Sequence, residues 1–431
     1  MDGNGGLVMQ ALLAHSTVWV GLSGGMDSMV LLHQLSRHPA LTHRLQAIHI
    51  HHGLSPHADA WEHFCGEQCQ TRNIPYQCAK LQIKGTANLE ARAREARYDA
   101  FLKHIKAGDA LVLAHHLDDE IETFFLNVLR GTGVMGLASM PMTREWKGIT
   151  IYRPLLKTPR TVIADYARKH QLQWIEDESN QNTDFSRNYL RQKLLPAIGE
   201  HWPHYRQSVS HTIESCQELV TDLEKQAYQL VPELAQSCDV LSLVALKGLS
   251  PVQINTVLRV WIKQHGLSIP PRLVLAQVIT QMINRQRLDS QPLIAWSNIR
   301  LRLYRDKLYL FTSSAGPLLD GYPWKNFPEQ LDIPDLGTLK AHPSTSGLSI
   351  DMQDKIDIRF RMGGETLLYK GHHRPLKKLF QQWGVPSFLR EQVPLVYVND
   401  SLQGVVGYAY ADQQHQQGES YFQIMDEKSF I

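Results

Sequence analysis

The sequence predicts an α/β protein whose first 200 residues form a parallel sheet with helices on both faces. Short apolar runs alternate with amphipathic stretches throughout this part of the chain. Strands that alternate with helices are typical of βαβ units with right-handed crossovers. Unusual polar residues directly follow three of the apolar runs, where open α/β sheets hold their binding sites. We expect a largely helical middle domain and a small α+β C-terminal domain to follow.

The elements of the first part follow from hydrophobic periodicity. The predicted strands are Thr17–Leu22, Leu45–His51, Tyr76–Ile83 and Ala110–His115. The predicted helices are Ser28–Arg37, Ala58–Arg72, Leu89–Lys106 and Asp118–Leu129. Polar segments follow the first, second and fourth strands at Ser23–Ser28, His51–Leu54 and His115–Asp119.

The alternation fades after about residue 200. His204–Leu230 and Val252–Gln264 have helical patterns, and residues 293–311 alternate as strands around a tight turn at Arg305–Lys307. Pro, Gly and Ser are frequent in 312–348, which is typical of a linker around short elements. The predicted segments are a first domain at 1–203, a middle domain at 204–315, a linker at 316–348 and a C-terminal domain at 349–431.

Composition limits the class of protein. Of 431 residues, 43% are hydrophobic and 20% are charged, a balance typical of soluble globular chains. The net charge is only +2, so any nucleic-acid surface must be a local one. The five cysteines include no C-x-x-C pair, which favours a reducing compartment. We see no export signal and no apolar stretch long enough for a membrane helix, so we expect a cytoplasmic protein without membrane contact.

The segment Val20–Leu32 combines a strand, a glycine turn and a helix start. Its turn is predicted to bind phosphate through six residues, Ser23, Gly24, Gly25, Met26, Asp27 and Ser28. Glycines allow backbone N–H groups to approach a phosphate, and the helix N-terminus adds positive potential. The two hydroxyls can donate, and Asp27 can hold Mg²⁺. A merely capped helix after a glycine turn is the alternative.

This loop lacks the lysine of a G-x-x-x-x-G-K-[ST] motif, which serves γ-phosphate chemistry. It resembles instead the PP-loop of the ATP pyrophosphatases, whose fold is that of the adenine nucleotide alpha hydrolases. The resemblance implies cleavage between the α- and β-phosphates of ATP and transfer of AMP.

Further segments narrow the resemblance. They are HIHHGLS at His49–Ser55, EARAREARY at Glu90–Tyr98, AHHLDDEIET at Ala114–Thr123, RGTGVMGL at Arg130–Leu137, RPLL at Arg153–Leu156, WIEDESNQNTDFSRNYLR at Trp174–Arg191 and KKLFQQWGVPSFLREQVPLVY at Lys377–Tyr397. In this order they resemble the bacterial tRNA(Ile)-lysidine synthetases over nearly the whole chain. Many members of that family read H-H-G-L-R where this chain has Ser55.

The resemblance implies a reaction on the wobble cytidine of tRNA(Ile) with a CAU anticodon. ATP adenylates the C2 oxygen of the base, and the ε-amine of free L-lysine then displaces AMP. It implies that residues 1–203 are catalytic and that residues 349–431 bind tRNA.

Three acids start the predicted helix after the fourth strand. They are Asp118, Asp119 and Glu122, of which the last two share a helix face. Acids at a helix N-terminus also suit the helix dipole without any function. Because a lysine amine with a pKa of about 10.4 arrives protonated, we expect these acids to bind it.

Three histidines lie at the end of the second predicted strand. His49 is a candidate for nucleotide contact, and His51 and His52 are candidates for nucleotide contact or charge stabilisation. A zinc site with Cys65 and Cys69 is an alternative, although a C-x-x-x-C spacing matches no common zinc motif.

Arginines supply further candidates. Arg97 and Arg130 are predicted to contact phosphate, and Arg187 and Arg191 to contact tRNA. Arginines on a helix surface often have no such role.

A basic cluster lies near the C-terminus. Its members Lys370, Arg374, Lys377 and Lys378 are predicted to bind the tRNA backbone. Trp383 and Phe388 are candidates for stacking on unpaired bases. A solvated basic face is the alternative.

Two other classes of function compete. Another enzyme with the same loop, such as a PP-loop tRNA thiolase, would need well-placed cysteines. An ATP-sensing RNA-binding module would not require Asp27 and the acids at 118–122. The sequence leaves open whether the protein is a monomer or a homodimer.

Overall fold

The computed structural model describes residues 3–53, 55–81, 89–236, 239–285, 292–312, 321–334, 336–344, 347–351, 354–412 and 421–426. The chain divides into two units, Met1–Gln229 and Leu230–Ile431. No helix within the described ranges is long and apolar enough to cross a membrane.

The first unit is built on a six-stranded sheet. Its strands are β1 (Val18–Gly21), β2 (Leu45–His51), β3 (Tyr76–Lys80), β4 (Ala110–Val112), β5 (Thr143–Trp146) and β6 (Ile149–Tyr152). Their order is β3-β2-β1-β4-β6-β5, with only the β5–β6 pair antiparallel. The carboxyl ends of β1, β2 and β4 therefore meet at one edge, where open α/β sheets place ligands.

Helices surround this sheet. They are α1 (Gly3–Leu12), α2 (Met26–Ser36), α3 (Ala58–Gln70), α4 (Leu89–His104), α5 (Leu117–Leu129), α6 (Val134–Leu137), α7 (Arg160–Lys169), α8 (Ser186–Tyr189), α9 (Leu195–His201) and α10 (Tyr205–Leu230). Short 3₁₀ turns lie at Pro39–Leu41 and Glu178–Gln181, and a π-helical turn at Leu190–Leu194 joins α8 to α9.

The strands bury both faces of the sheet. Val18 and Val20 of β1 belong to one apolar cluster with residues of α2 and α7. Trp19 between them belongs to a second cluster, which contains Tyr98 and Phe101 of α4. Successive strand residues point to opposite faces, so helices cover both sides. The predicted fold class is confirmed.

The sequence did not predict the β5–β6 hairpin. Of the four residues of β5 only Trp146 is buried, so this edge strand has no apolar run that would reveal it. The turn depends on Lys147 and Gly148, both with positive φ.

The first half of the second unit mixes helices and strands. It contains α11 (Leu243–Leu246), α12 (Pro251–Gln264), α13 (Arg272–Gln277), β7 (Val240–Ser242), β8 (Leu293–Trp296), β9 (Ile299–Tyr304) and β10 (Lys307–Thr312), with a 3₁₀ turn at Pro232–Gln236 and a π-helical turn at Val278–Ile283. The strands form an antiparallel sheet in the order β7-β10-β9-β8. Arg305 and Asp306 adopt positive φ at the predicted tight turn.

The second half of this unit contains the remaining strands and one helix. They are β11 (Tyr322–Pro323), β12 (Leu331–Ile333), β13 (Gly337–Ser344), β14 (Leu348–Ser349), β15 (Ile356–Arg359), β16 (Thr366–Tyr369), β17 (His372–Pro375), α14 (Leu376–Gln382), β18 (Leu395–Val398), β19 (Ser401–Val405), β20 (Ala409–Tyr410) and β21 (Tyr421–Asp426). The sheets have the orders β11-β15-β18-β19-β20, β12-β13-β21-β14 and β16-β17.

Two features differ from the expected organisation. Residues 316–348, predicted as a linker, contain strands, because β13 pairs along its length with the distant β21. The helix α10 belongs almost wholly to the first unit rather than to a middle domain that starts at 204. It does so because Tyr205 packs against Ile121 of α5. The domain boundaries themselves stay predictions.

Candidate active site

The glycine loop lies between β1 and α2. Gly24 has φ +85°, and a Cβ atom there would lie 2.7 Å from Cδ1 of Ile175, so glycine is required for both conformation and space. The Ser23 hydroxyl donates to Ser28 Oγ at 3.1 Å, and the Ser28 hydroxyl donates to the carbonyl of Gly25 at 2.9 Å. These bonds fix the shape of the loop.

The start of α2 is open for an anion. Gly25 occupies the N-cap position and offers no side chain to cap the helix. The first N–H groups of α2 are therefore available to a ligand, and the helix dipole favours a negative one. Met26 is the first residue of this helix and packs partly against the core. This geometry suits an anion, and phosphate binding by Ser23–Ser28 stays a prediction.

Asp27 lies beside this opening and faces α5. Its Oδ2 is 3.6 Å from Nε2 of His116, and its Oδ1 is buried without a hydrogen-bond partner among the described residues. His116 Nε2 also lies 3.4 Å from Asp119 Oδ2. Burial disfavours protonation of His116, but Asp27, Asp119 and Asp118 outweigh it and raise the pKa of this histidine. A buried imidazole thus connects the loop to the acids of α5.

His116 belongs to the polar segment that follows the fourth predicted strand, and it is not among the predicted site residues. In the structure it is the N-cap of α5. Its Nδ1 accepts from the backbone N–H of Asp119, and the Asp119 carboxylate accepts from the backbone N–H of His116. This reciprocal pair is a capping box made by residues that are unusual in it. No sequence signal separates such a histidine from the others near the sheet edge.

Glu122 is held by two arginines. Its side chain is 1% exposed, and it accepts from Arg187 Nε at 2.8 Å and from Arg191 Nε at 2.6 Å. Arg191 also donates to Asp119 Oδ1 at 3.2 Å. Burial lowers the pKa of Arg191, but Glu122, Asp119 and Asp27 more than compensate and raise it. An incoming ammonium ion would have to displace these guanidinium groups from Glu122.

The contacts of Asp118 are of a different kind. Its Oδ2 accepts from the backbone N–H of Arg160, the first residue of α7, and its Oδ1 accepts from Arg206 Nε at 3.0 Å. Burial raises the pKa of Asp118, but these two donors outweigh burial and lower it. Both oxygens are engaged in tying α7 and α10 to α5, so the expected catalytic role of Asp118 finds no support in the structure.

The three histidines of β2 and its end occupy different environments. His49 is 4% exposed and donates from Nδ1 to the carbonyl of Leu22, which supports the glycine loop from behind. Burial lowers its pKa. Burial and the nearby Arg97 lower the pKa of His52 to about 4, so the ring is neutral at pH 7. A neutral ring cannot stabilise negative charge as a cation, and nucleotide contact by His52 stays a prediction.

His51 contacts an acidic surface pair. Its Nε2 lies 3.1 Å from Asp59, and ligand atoms of His51, Asp59 and Glu62 lie within 4.8 Å of one another. The ammonium of Lys80 lies 2.8 Å from Glu62 and 3.7 Å from Asp59. A lysine therefore already supplies the positive charge that these carboxylates need.

The cysteines of α3 and β3 carry no ionised thiol. Burial raises the pKa of Cys65 and of Cys69 to about 12, and that of Cys78 to about 11. Cys65 Sγ lies 3.6 Å from Nδ1 of His49. Neutral buried thiols behave as small apolar side chains rather than as nucleophiles.

Arg130 lies at the end of α5, away from the glycine loop, and Ser55 lies just before α3. Arg130 is exposed and caps the C-terminus of α5. The thirteen residues of α5 place it about 20 Å along the helix from His116, so the structure does not bring it to the loop. Ser55, in place of the family's common arginine, accepts from the backbone N–H of His57 just before α3.

Comparisons with known proteins agree with this geometry. Three family models match: a PP-loop domain at residues 7–198, a TilS substrate binding domain at 241–309 and a TilS substrate C-terminal domain at 356–424. A tRNA(Ile)-lysidine synthase of Legionella pneumophila (strain Paris) is 40% identical over 394 residues, which cover 91% of each chain. One from Coxiella burnetii is 36% identical and covers 95% of this chain and 93% of its own.

The chain belongs to the tRNA(Ile)-lysidine synthase family. The predicted resemblance is confirmed. A solved U34-tRNA thiolase from Methanococcus maripaludis is also similar, at 17% identity and a TM-score of 0.41, over 50% of this chain and 78% of its own.

The basic cluster of this tRNA(Ile)-lysidine synthase family member falls within the matched C-terminal domain. Lys370 has φ +54° at the β16–β17 turn, and Lys377 and Lys378 lie in the first turn of α14. All three are exposed, and Arg374 of β17 is half-buried. The four residues lie on the β16–β17 hairpin and on the helix that follows it.

The two aromatic candidates nearby are packed against other rings. Trp383 stacks on Tyr408 with ring centroids 5.3 Å apart, and Phe388 stacks on Phe311 at 5.7 Å. Arg302 lies over the Phe388 ring as well. Both rings thus serve the packing of the second unit, and the expectation that they stack on RNA bases is not supported by these contacts.

Proposed function

We propose that this chain joins free L-lysine to C2 of the wobble cytidine of tRNA(Ile) with a CAU anticodon, and that it uses ATP and releases AMP and pyrophosphate. The observation that carries the proposal is the uncapped N-terminus of α2 behind Ser23–Gly25, with Asp27 beside it, in a chain of this family. A tRNA substrate and an ATP requirement fit a cytoplasmic enzyme.

The first step is adenylation. The C2 oxygen of cytosine attacks the α-phosphorus of ATP, the bond between the α- and β-phosphates breaks, and pyrophosphate leaves. N–H groups at the start of α2 and the hydroxyls of Ser23 and Ser28 bind the phosphates. The C2 oxygen of cytosine, a poor leaving group by itself, can then leave as part of AMP.

A magnesium ion fits beside the loop at Asp27. The buried Asp27 Oδ1 lacks a partner in the described part of the chain, and a carboxylate oxygen is the ligand that Mg²⁺ prefers. Bound there, the ion would neutralise charge on the leaving pyrophosphate.

The second step is attack by the lysine amine. Its nitrogen bonds to C2, the bond from C2 to the adenylated oxygen breaks, and AMP leaves with that oxygen. A free ε-amine has a pKa of about 10.4, so it arrives as an ammonium ion and must lose a proton before attack. Asp119 suits this ion because its Oδ2 faces His116 beside the loop, while Arg191 donates to its Oδ1. Glu122 contributes through Arg187 and Arg191, which it holds in place.

The tRNA would contact the basic surface of Lys370, Arg374, Lys377 and Lys378. Exposed lysines can neutralise phosphates and release the counterions that surround them. Because such contacts do not read sequence, they would position the tRNA rather than select it.

Thiolation of a tRNA base is the competing reaction on this loop. It needs a reactive thiolate, whereas burial raises the pKa of Cys65 and Cys69 to about 12. These two thiols cannot carry sulfur transfer at neutral pH.

The test is nucleoside mass analysis of a tRNA(Ile) transcript after incubation with the chain, ATP and L-lysine. We expect lysidine in place of one cytidine, with one AMP released per lysidine. A matched transcript with uridine at the wobble position should gain no lysine. Absence of lysidine with active, folded chain would refute the proposal.

A further inference from the structure

The segment Phe185–Leu194 has two different faces. Arg187 and Arg191 are four residues apart and both reach the acids of α5. Leu190 between them is buried. These contacts fix which side of Phe185–Leu194 faces α5.

The opposite side carries exposed rings. Phe185 is 40% exposed and Tyr189 is 54% exposed. The Tyr189 N–H donates to the Phe185 carbonyl at 3.0 Å, so the two side chains lie one helical turn apart on one face. Residues two positions apart on a helix, such as Arg187 and Tyr189, point in nearly opposite directions. Lys193, also exposed, continues this side one turn further. We call Phe185, Tyr189 and Lys193 the aromatic face.

An exposed cation beside these rings suits a nucleic acid. Of the four lysines and arginines in residues 185–206, Arg187, Arg191 and Arg206 pair with acids of α5, whereas Lys193 is exposed on the aromatic face. Trp202, 60% exposed, lies in the same stretch with His201 against its ring. A group of exposed rings is typical of a binding surface, and a lysine among them favours an anionic partner.

We propose that the aromatic face binds unpaired bases of the tRNA next to the reacting cytidine, with Phe185 and Tyr189 stacking on the bases and Lys193 contacting phosphate. The inference rests on the proposed function and specifies where that substrate is held. Base stacking on aromatic side chains is the usual way in which proteins hold single-stranded RNA. Because Arg187 and Arg191 clamp the segment to Glu122, a base bound there is fixed relative to the reaction site.

The test uses an RNA stem-loop with the CAU anticodon and 2-aminopurine at the unpaired position beside the reactive cytidine. Its fluorescence falls when the base stacks on a ring. Tyr189→Ala should weaken binding by about 5- to 150-fold and remove most of the quenching, since one base–aromatic stack accounts for that range. Tyr189→Phe keeps the ring and should bind as wild type does.

Tyr228→Ala is the matched control, because it removes a 40% exposed tyrosine from the far part of α10. It should leave binding unchanged. Equal affinity and equal quenching in Tyr189→Ala and wild type would overturn the inference, as would an equal loss in Tyr228→Ala. Either outcome would assign the exposed rings of the aromatic face to contact with a protein partner instead of RNA. If Tyr189→Ala does not fold, Phe185→Ala is tested in its place and should also lose RNA affinity and quenching.

Lysidine formation by wild type is measured in parallel. Lysidine without any effect of Tyr189 on binding refutes only the stacking surface. Tyr189-dependent quenching without lysidine refutes only the proposed reaction.

Discussion

The backbone N–H of Ile175 donates to the carbonyl of Gly24 at 2.9 Å, and its side chain fills the space into which a Cβ of residue 24 would project. The segment after α7 thus packs against the glycine loop, although the two are about 150 residues apart in sequence. The loop conformation depends on this contact as well as on its own glycines.

Gly24→Ala should raise the KM for ATP strongly and destabilise the chain by about 1–2 kcal/mol, because of φ +85° and the 2.7 Å approach to Ile175. The KM and thermal unfolding measure the two effects. Gly248→Ala is the control, since Gly248 has φ +86° with nothing within 4 Å of its Cβ position. It should lose stability but keep its KM. An unchanged KM in Gly24→Ala would contradict the loop assignment.

Asp27→Asn should reduce AMP formation at least about 100-fold, because several kcal/mol of charge stabilisation by a metal ion disappear. Melting temperature should change little, because the contact of Asp27 Oδ2 with His116 is long, at 3.6 Å. The rate of AMP release and the melting temperature are measured for Asp27→Asn and for wild type. Turnover close to wild type would remove Asp27 from the chemistry.

Asp118→Ala should lower stability by about 2–3 kcal/mol, since its charged hydrogen bonds to Arg160 and Arg206 disappear. The folded fraction should retain its kcat. Arg206→Ala removes the other partner, and the double variant should lose less than the sum of the two single losses. A large loss of kcat with an unchanged melt would restore the catalytic role of Asp118.

Asp119→Asn should raise the KM for lysine about 10-fold or more, because a charge-assisted hydrogen bond contributes about 1.5–3 kcal/mol. Asparagine can still accept the N–H of His116, so the helix cap survives. Adenylated tRNA should accumulate, visible as label from α-labelled ATP on RNA.

Glu122→Gln serves as the comparison for that variant. It removes the partner of two arginines, so we expect lower thermal stability and slowing of both half-reactions. Normal lysine saturation in Asp119→Asn, with a raised lysine KM in Glu122→Gln instead, would place the amine on Glu122.

Charge reversal at Lys377 and Lys378 should weaken tRNA binding and make the dependence of log K on log salt less steep. The slope should fall by about one for each phosphate that the variant no longer neutralises. Filter binding at several salt concentrations measures it. The double reversal at Lys307 and Lys325, exposed lysines of the same unit, is the control. Equal slopes in wild type and the Lys377/Lys378 variant would make the cluster ordinary solvated surface.

Local sequence determined the elements whose structure depends on residues close together in the chain. Hydrophobic periodicity predicted the parallel strands β1 to β4 and the helices α2 to α5, since each buries an apolar face. The Ser23–Ser28 loop was recognisable because turn, glycines and helix start are contiguous. The edge strand Thr143–Trp146 was not, because only one of its residues is buried.

Tertiary structure decided what the charged residues do. Asp118, Asp119 and Glu122 look alike in sequence. Yet Asp118 ties α7 and α10 to α5, and Asp119 faces His116. Arg187 and Arg191 neutralise the buried Glu122 and also lie within 3.6 Å of Asp119. Those arginine partners lie more than 40 residues away along the chain, and ion pairing depends on distance in space. Burial likewise made His52 neutral and the cysteines unreactive, and desolvation is a property of the folded state alone.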